Sequence, residues 1–137
     1  MYSHYNQERV RNIESWLDNK IDWINKDNQN VRFEQIINAY KVGQRYEIDH
    51  DIFLDVKHIS SNIYILLCTM KGVLLQHFHD NLQEHFFMLE GEMFDNCNEY
   101  ILLKEGDFHT FLELVKHEPR TGTDTFSKIL IIGEKTK

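Results

Sequence analysis

His77 and His79 stand two residues apart, and Glu84 follows close behind them. Side chains on a β-strand alternate between faces, so residues two apart share a face about 7 Å apart along the strand. Two imidazoles at that spacing can converge on one small ion. Residues 80–83, DNLQ, are polar and turn-forming. They read as the loop of a hairpin whose return strand begins at Glu84, with its carboxylate aimed at the same point. Imidazole nitrogen plus carboxylate oxygen suits a borderline divalent transition metal such as iron, manganese, nickel or zinc, and suits calcium poorly.

The stretch runs Gly72, four residues, His77-x-His79, four residues, Glu84, six residues, Gly91. This resembles the first motif of the cupin superfamily, with one residue fewer than usual between the glycine and the first histidine. The second cupin motif is a glycine, a Pro-x-Gly turn and a histidine. Read from Gly106, its histidine position falls on His117, while the Pro and Gly positions hold Leu112 and Leu114. The sharp turn usual there is therefore not encoded, and His109, which also follows Gly106, competes with His117 for the role.

The resemblance covers roughly the last half of the chain. It implies a mainly β fold, an antiparallel double-stranded β-helix or jelly-roll barrel, with a metal at its mouth. It further implies His77, His79, Glu84 and His117 as metal ligands, with open positions left for a small molecule. Glu84 is then expected to shift from ligand to general base during turnover. The expected activity is that of a metal-dependent oxidoreductase of dioxygenase type acting on a small molecule. The alternatives are a metal- or ligand-binding sensor module without turnover, and a metal-dependent sugar or sugar-phosphate isomerase. The isomerase would need a cationic pocket, for which only Lys116 and Arg120 lie near the site in sequence.

The remaining histidines and sulfur groups have plainer readings. His85, beside Glu84, should point the opposite way, and His4, His50 and His58 have no partner at ligand spacing. Cys68 lies on a strand-like run and reads as a buried structural thiol. Phe86, Met88 and Phe111 read as core or pocket lining.

The rest of the chain must position these groups. Its 137 residues suit a single domain with a sizeable core. The net charge of −7 argues against a nucleic-acid partner. No signal-peptide pattern opens the sequence, and the longest apolar run, residues 63–68, is too short to span a bilayer, so a soluble cytoplasmic protein without a membrane partner is expected. The two cysteines, Cys68 and Cys97, read as free thiols.

Residues 7–28 carry apolar side chains at helical spacing: Val10, Ile13, Leu17, Ile21 and Ile24. A shorter helix is expected over residues 31–41, with Gly43 as its C-terminal glycine. Together they suggest a helical segment, 1–45, packing on the barrel or on a partner subunit. Basic residues there are interleaved with acids, so no DNA-reading face emerges. From Tyr46 the texture changes to short apolar runs between polar turns, the pattern of a barrel over 46–137. In residues 84–89, Glu84, Phe86 and Met88 would face inward and His85, Phe87 and Leu89 outward. That apolar outer face suggests a homodimer.

Overall fold

The computed structural model describes residues 30–136. The helix expected over residues 7–28 and His4 lie outside them. Among the described residues, one helix, α1 (Phe33–Ala39), precedes eight strands. These are β1 (Arg45–Asp49), β2 (Ile52–Ile59), β3 (Ile63–Met70), β4 (Leu82–Glu90), β5 (Met93–Asp95), β6 (Ile101–Leu103), β7 (Phe108–Phe111) and β8 (Ser127–Lys135). Six of them form an antiparallel sheet in the order β1-β2-β3-β8-β4-β7, and β5 pairs with β6 in a second sheet.

The alternation in sequence becomes alternation in burial. On β4, Leu82, Glu84, Phe86 and Met88 are buried, whereas Gln83, His85 and Phe87 are only partly so. Strand β3 buries Tyr64, Leu66, Cys68 and Met70, and β8 buries Ser127, Ile129, Ile131 and Gly133. These inward rows, with Phe33 and Ile36 from α1, make one core.

Three expectations change. Helix α1 is shorter than residues 31–41. It cannot begin earlier, because Arg32 at its N-cap is extended and Val31 donates its N–H to the Phe78 carbonyl at 2.8 Å. It ends at Ala39 with Tyr40 extended. Gly43 therefore does not cap it; at φ +87° it serves the turn into β1, donating its N–H to Val56. A seven-residue helix is too short to persist alone, so burial of Phe33 and Ile36, about 1.5–3 kcal/mol each, must hold it in place.

Second, the His77–His79 stretch is not one arm of a hairpin with β4. Strand β4 pairs with β7 and β8, and the His77–His79 arm pairs with the segment carrying His117. Third, β7 was not legible as a strand: FHTF is short and mixes polar with aromatic residues. The single apolar run of residues 84–94 is split into β4 and β5 at Gly91, whose φ is +81° and where a Cβ would stand 2.4 Å from Ser127 Oγ.

Candidate metal centre

His77 and His117 face one another across an isolated antiparallel bridge and exchange both backbone hydrogen bonds, at 3.0 and 2.9 Å. Residues so paired place their side chains on the same side. Their Nε2 atoms lie 3.1 Å apart. His79 sits one strand period further along, and its Nε2 is 2.9 Å from Glu84 Oε1. His117 Nε2 is 3.4 Å from the same oxygen. The four donor atoms all lie within 4.8 Å of one another, and all four residues are buried.

The backbone settles which ring nitrogen faces inward. The Nδ1 atoms of His77, His79 and His117 lie 2.8, 2.6 and 3.2 Å from the carbonyls of Leu75, Val31 and Val115. A carbonyl can only accept, so each Nδ1 carries the proton. Each ring therefore turns its Nε2 toward the others. Nitrogens 3.1 Å apart, and a nitrogen 2.9 Å from a carboxylate oxygen, are held together by a shared positive centre, a proton or a metal ion. At metal–ligand bonds of about 2.0–2.2 Å, ligands at right angles stand about 3 Å apart, which matches these separations. The donor set fits a transition metal.

The outer side of Glu84 is also fixed. Its Oε2 accepts a hydrogen bond from the Tyr64 hydroxyl. Tyr64 on β3 and Glu84 on β4 are both in register with Gly133 on β8, between them. A Cβ at Gly133 would lie 2.0 Å from Tyr64 Cζ, so the glycine leaves the channel through which the ring reaches Glu84. Burial pushes the Glu84 carboxyl up, but the His79 and His117 rings outweigh it and hold it well below the usual carboxylate range. Burial, then the neighbouring His117 and His79 rings, pushes His77 well below an ordinary imidazole. Burial and the Glu84 charge raise the Tyr64 hydroxyl well above its usual range, keeping it a donor.

The turn before His117 differs from expectation. Leu112 and Leu114 do not encode it, yet it is made: Val115 donates to the Leu112 carbonyl at 3.2 Å, with Leu114 at φ +68°. That is the left-handed region where glycine is favoured and a branched residue is strained. The Leu114 N–H in turn donates to the His79 carbonyl at 2.6 Å, tying the turn to the opposite arm.

His109 lies elsewhere. It is opposite Phe86 on the β4–β7 ladder, stacks edge-on against Phe111 at 4.8 Å, and lines a separate cavity of about 190 Å³ with Glu99 and Lys116. His85 turns away from the centre, toward Thr110 Oγ1 and Glu134. His50 and His58 are exposed. Cys68 is buried, and its thiol is pushed up to about 12 by burial and then by Glu84. Phe111 packs on His117 at 4.5 Å, and Met88 is core. A chamber of about 30 Å³ opens on His77, His79 and Glu84, lined otherwise almost wholly by apolar groups, Phe86 and Cys68 among them.

Sequence reasoning missed Tyr64, Gly133 and the Val31 carbonyl. Only Tyr64 left a trace, as a polar-tipped ring in a run of inward-facing apolar residues; the other two act through backbone.

The fold is similar to that of several solved structures. A structure of KdgF from a Halomonas species is 12% identical, with a TM-score of 0.61 over 69% of this chain and 86% of that one. A cupin-2 domain protein from Shewanella frigidimarina is 21% identical, with a TM-score of 0.53 over 73% and 89%. An RmlC-like cupin from the same organism is 17% identical, with a TM-score of 0.59 over 69% and 85%. The chain has the cupin fold. No family model and no curated protein matches the sequence. Within the cupin barrel, the cluster of three histidines and one glutamate lies on the inward face, where the walls shield it from water. No helix among the described residues is long and apolar enough to cross a membrane.

Proposed function

We propose that this chain is a metal-dependent oxidoreductase of dioxygenase type acting on a small molecule, with His77, His79, Glu84 and His117 as the metal ligands. The observation that carries the reading is the donor set: three imidazoles whose Nδ1 atoms point to carbonyls, leaving three Nε2 and one carboxylate oxygen converging beside an apolar chamber. Iron, manganese, nickel or zinc held there would supply Lewis acidity or, for iron and manganese, one-electron chemistry. Glu84 offers Oε1 to the centre while Tyr64 fixes Oε2, so the carboxylate keeps its aim if Oε1 takes a proton as general base. The apolar walls exclude water and favour neutral ligands. They do not favour a sugar phosphate: Arg120 is paired with Glu118 at 2.6 Å, and Lys116 is exposed.

The near-complete burial of all four donors favours a second reading, a metal-loaded binding module without turnover. Metal analysis beside the His77→Ala/His79→Ala double variant tests both. Equal metal content in the two proteins would remove the centre. Oxygen uptake by the iron-loaded wild type with small vicinal diols would then separate enzyme from binder.

The outer face of β4 and β7 supports a homodimer. Phe87 stacks on Phe108 at 5.4 Å, and Phe108 and Leu89 are exposed.

A further inference from the structure

The chamber beside the candidate centre has two kinds of wall. Leu66, Ile131 and Phe86 form one cross-strand row on β3, β8 and β4, locked by continuous hydrogen-bonded ladders. Leu54 extends the wall onto β2. These side chains cannot withdraw without breaking the sheet.

Ile36 of α1 and Tyr40 just beyond it close the chamber from another direction. No ladder holds them. Instead, the Phe33 N–H donates to Asn81 Oδ1 at 2.9 Å, Asn81 Nδ2 donates to Glu34 at 2.7 Å, and Lys135 pairs with Glu34 at 3.0 Å. Phe33 also stacks on Tyr64 at 5.7 Å. This wall is therefore one that sequence change can reshape while leaving the barrel ladders intact.

At about 30 Å³ the chamber has room for one or two water-sized groups. From this we infer that Ile36 and Tyr40 are specificity-setting residues: with α1 docked, they admit a ligand of two or three atoms to the metal's open positions and weaken, without abolishing, the binding of a chelating organic molecule. The inference rests on the metal reading above and narrows its substrate class. An organic co-substrate larger than the chamber would have to enter by displacing α1.

Cobalt(II)-loaded protein provides the test, because its visible spectrum changes when an open position is filled. Wild type, Ile36→Val, Ile36→Ala and Tyr40→Leu would each be titrated with azide, a slender rod, and with acetohydroxamate, a bidentate chelator. The Ile36→Val change is small enough to keep the fold if Ile36→Ala does not. Azide should perturb the spectrum of all four proteins with similar affinity. Acetohydroxamate should bind wild type at least about tenfold more weakly than the Ile36→Ala or Tyr40→Leu protein, with Ile36→Val between. Stoichiometric cobalt with equal acetohydroxamate affinity throughout would overturn the inference and leave the metal reading standing. Failure of wild type to bind cobalt at all would overturn both.

Discussion

Replacing Leu114 by glycine should stabilise the protein, although it removes an apolar side chain. Leu114 adopts φ +68°, and for an L-residue the left-handed region costs about 1–2 kcal/mol. Glycine has no such penalty, but it loses more backbone freedom on folding, worth about 0.5–1 kcal/mol. Leu114 is 65% exposed, so little buried area is forfeited. The balance is a gain of about 0.5–1 kcal/mol, or about 1–3 °C in melting temperature for a domain of this size. Leu112 is the control. It is 58% exposed in the same turn, but its φ is not positive. Leu112→Gly should carry only the entropic term and lose about 0.5–1 kcal/mol. The two variants change composition identically, so the gap between them, about 1–2 kcal/mol, isolates the strain. Urea denaturation of wild type and both variants measures it. Equal destabilisation by the two substitutions would refute the strain argument.

Gly133→Ala should destabilise by about 2–5 kcal/mol, because its Cβ would overlap the Tyr64 ring and loosen the bond to Glu84. In a Tyr64→Ala background the same change should cost much less, and a double-mutant cycle with no coupling would count against the channel. Asn81→Ala should cost about 1–3 kcal/mol by leaving the Phe33 amide without its acceptor, whereas Arg32→Ala, which removes a half-exposed pair to Asp80, should change stability by less than about 1 kcal/mol in the same denaturation assay. A fitting divalent metal at a thousandfold excess over its dissociation constant should add about 4 kcal/mol, roughly 10 °C in a melting scan, and a chelator should reverse it; the His77→Ala/His79→Ala protein should show no shift. A disulfide-exchange thiol reagent at pH 8 should modify Cys97 and spare Cys68, whose thiol is pushed up to about 12. A raised folded value means that only the unfolded chain releases this proton between pH 9 and 12, so stability should decline across that window; two modified cysteines in the folded protein at pH 8 would contradict the burial.

Much of the centre was legible because period-two spacing is a strong signal when an extended arm carries it. His77 and His79 do share a side, and Glu84 does face them, although its strand begins two residues earlier, at Leu82. Their pairing partner was not legible: hairpin logic joins neighbours in sequence, while the arm's true neighbour, His117, comes from a residue 40 positions away. The second turn was obscured for a different reason. Its residues carry no glycine signal, and the surrounding hydrogen bonds impose the shape that Leu114 resists. Tyr64, Gly133 and Val31 were hidden because their contributions are a long cross-strand reach, the lack of a side chain and a carbonyl. Such roles are defined by tertiary neighbours and leave little mark on local pattern.

The three ring-orienting carbonyls are not equivalent. Leu75 and Val115 stand two residues before the histidines they steer, so those two imidazoles are aimed by their own extended backbone. His79 takes its bearing from Val31, 48 positions upstream. Two of the rings are thus aimed by their own backbone, whereas the third holds its aim only while the strand-like residues before α1 are docked. Anything that lifts those residues would leave a two-imidazole half-site, with ion affinity falling while the barrel itself persists.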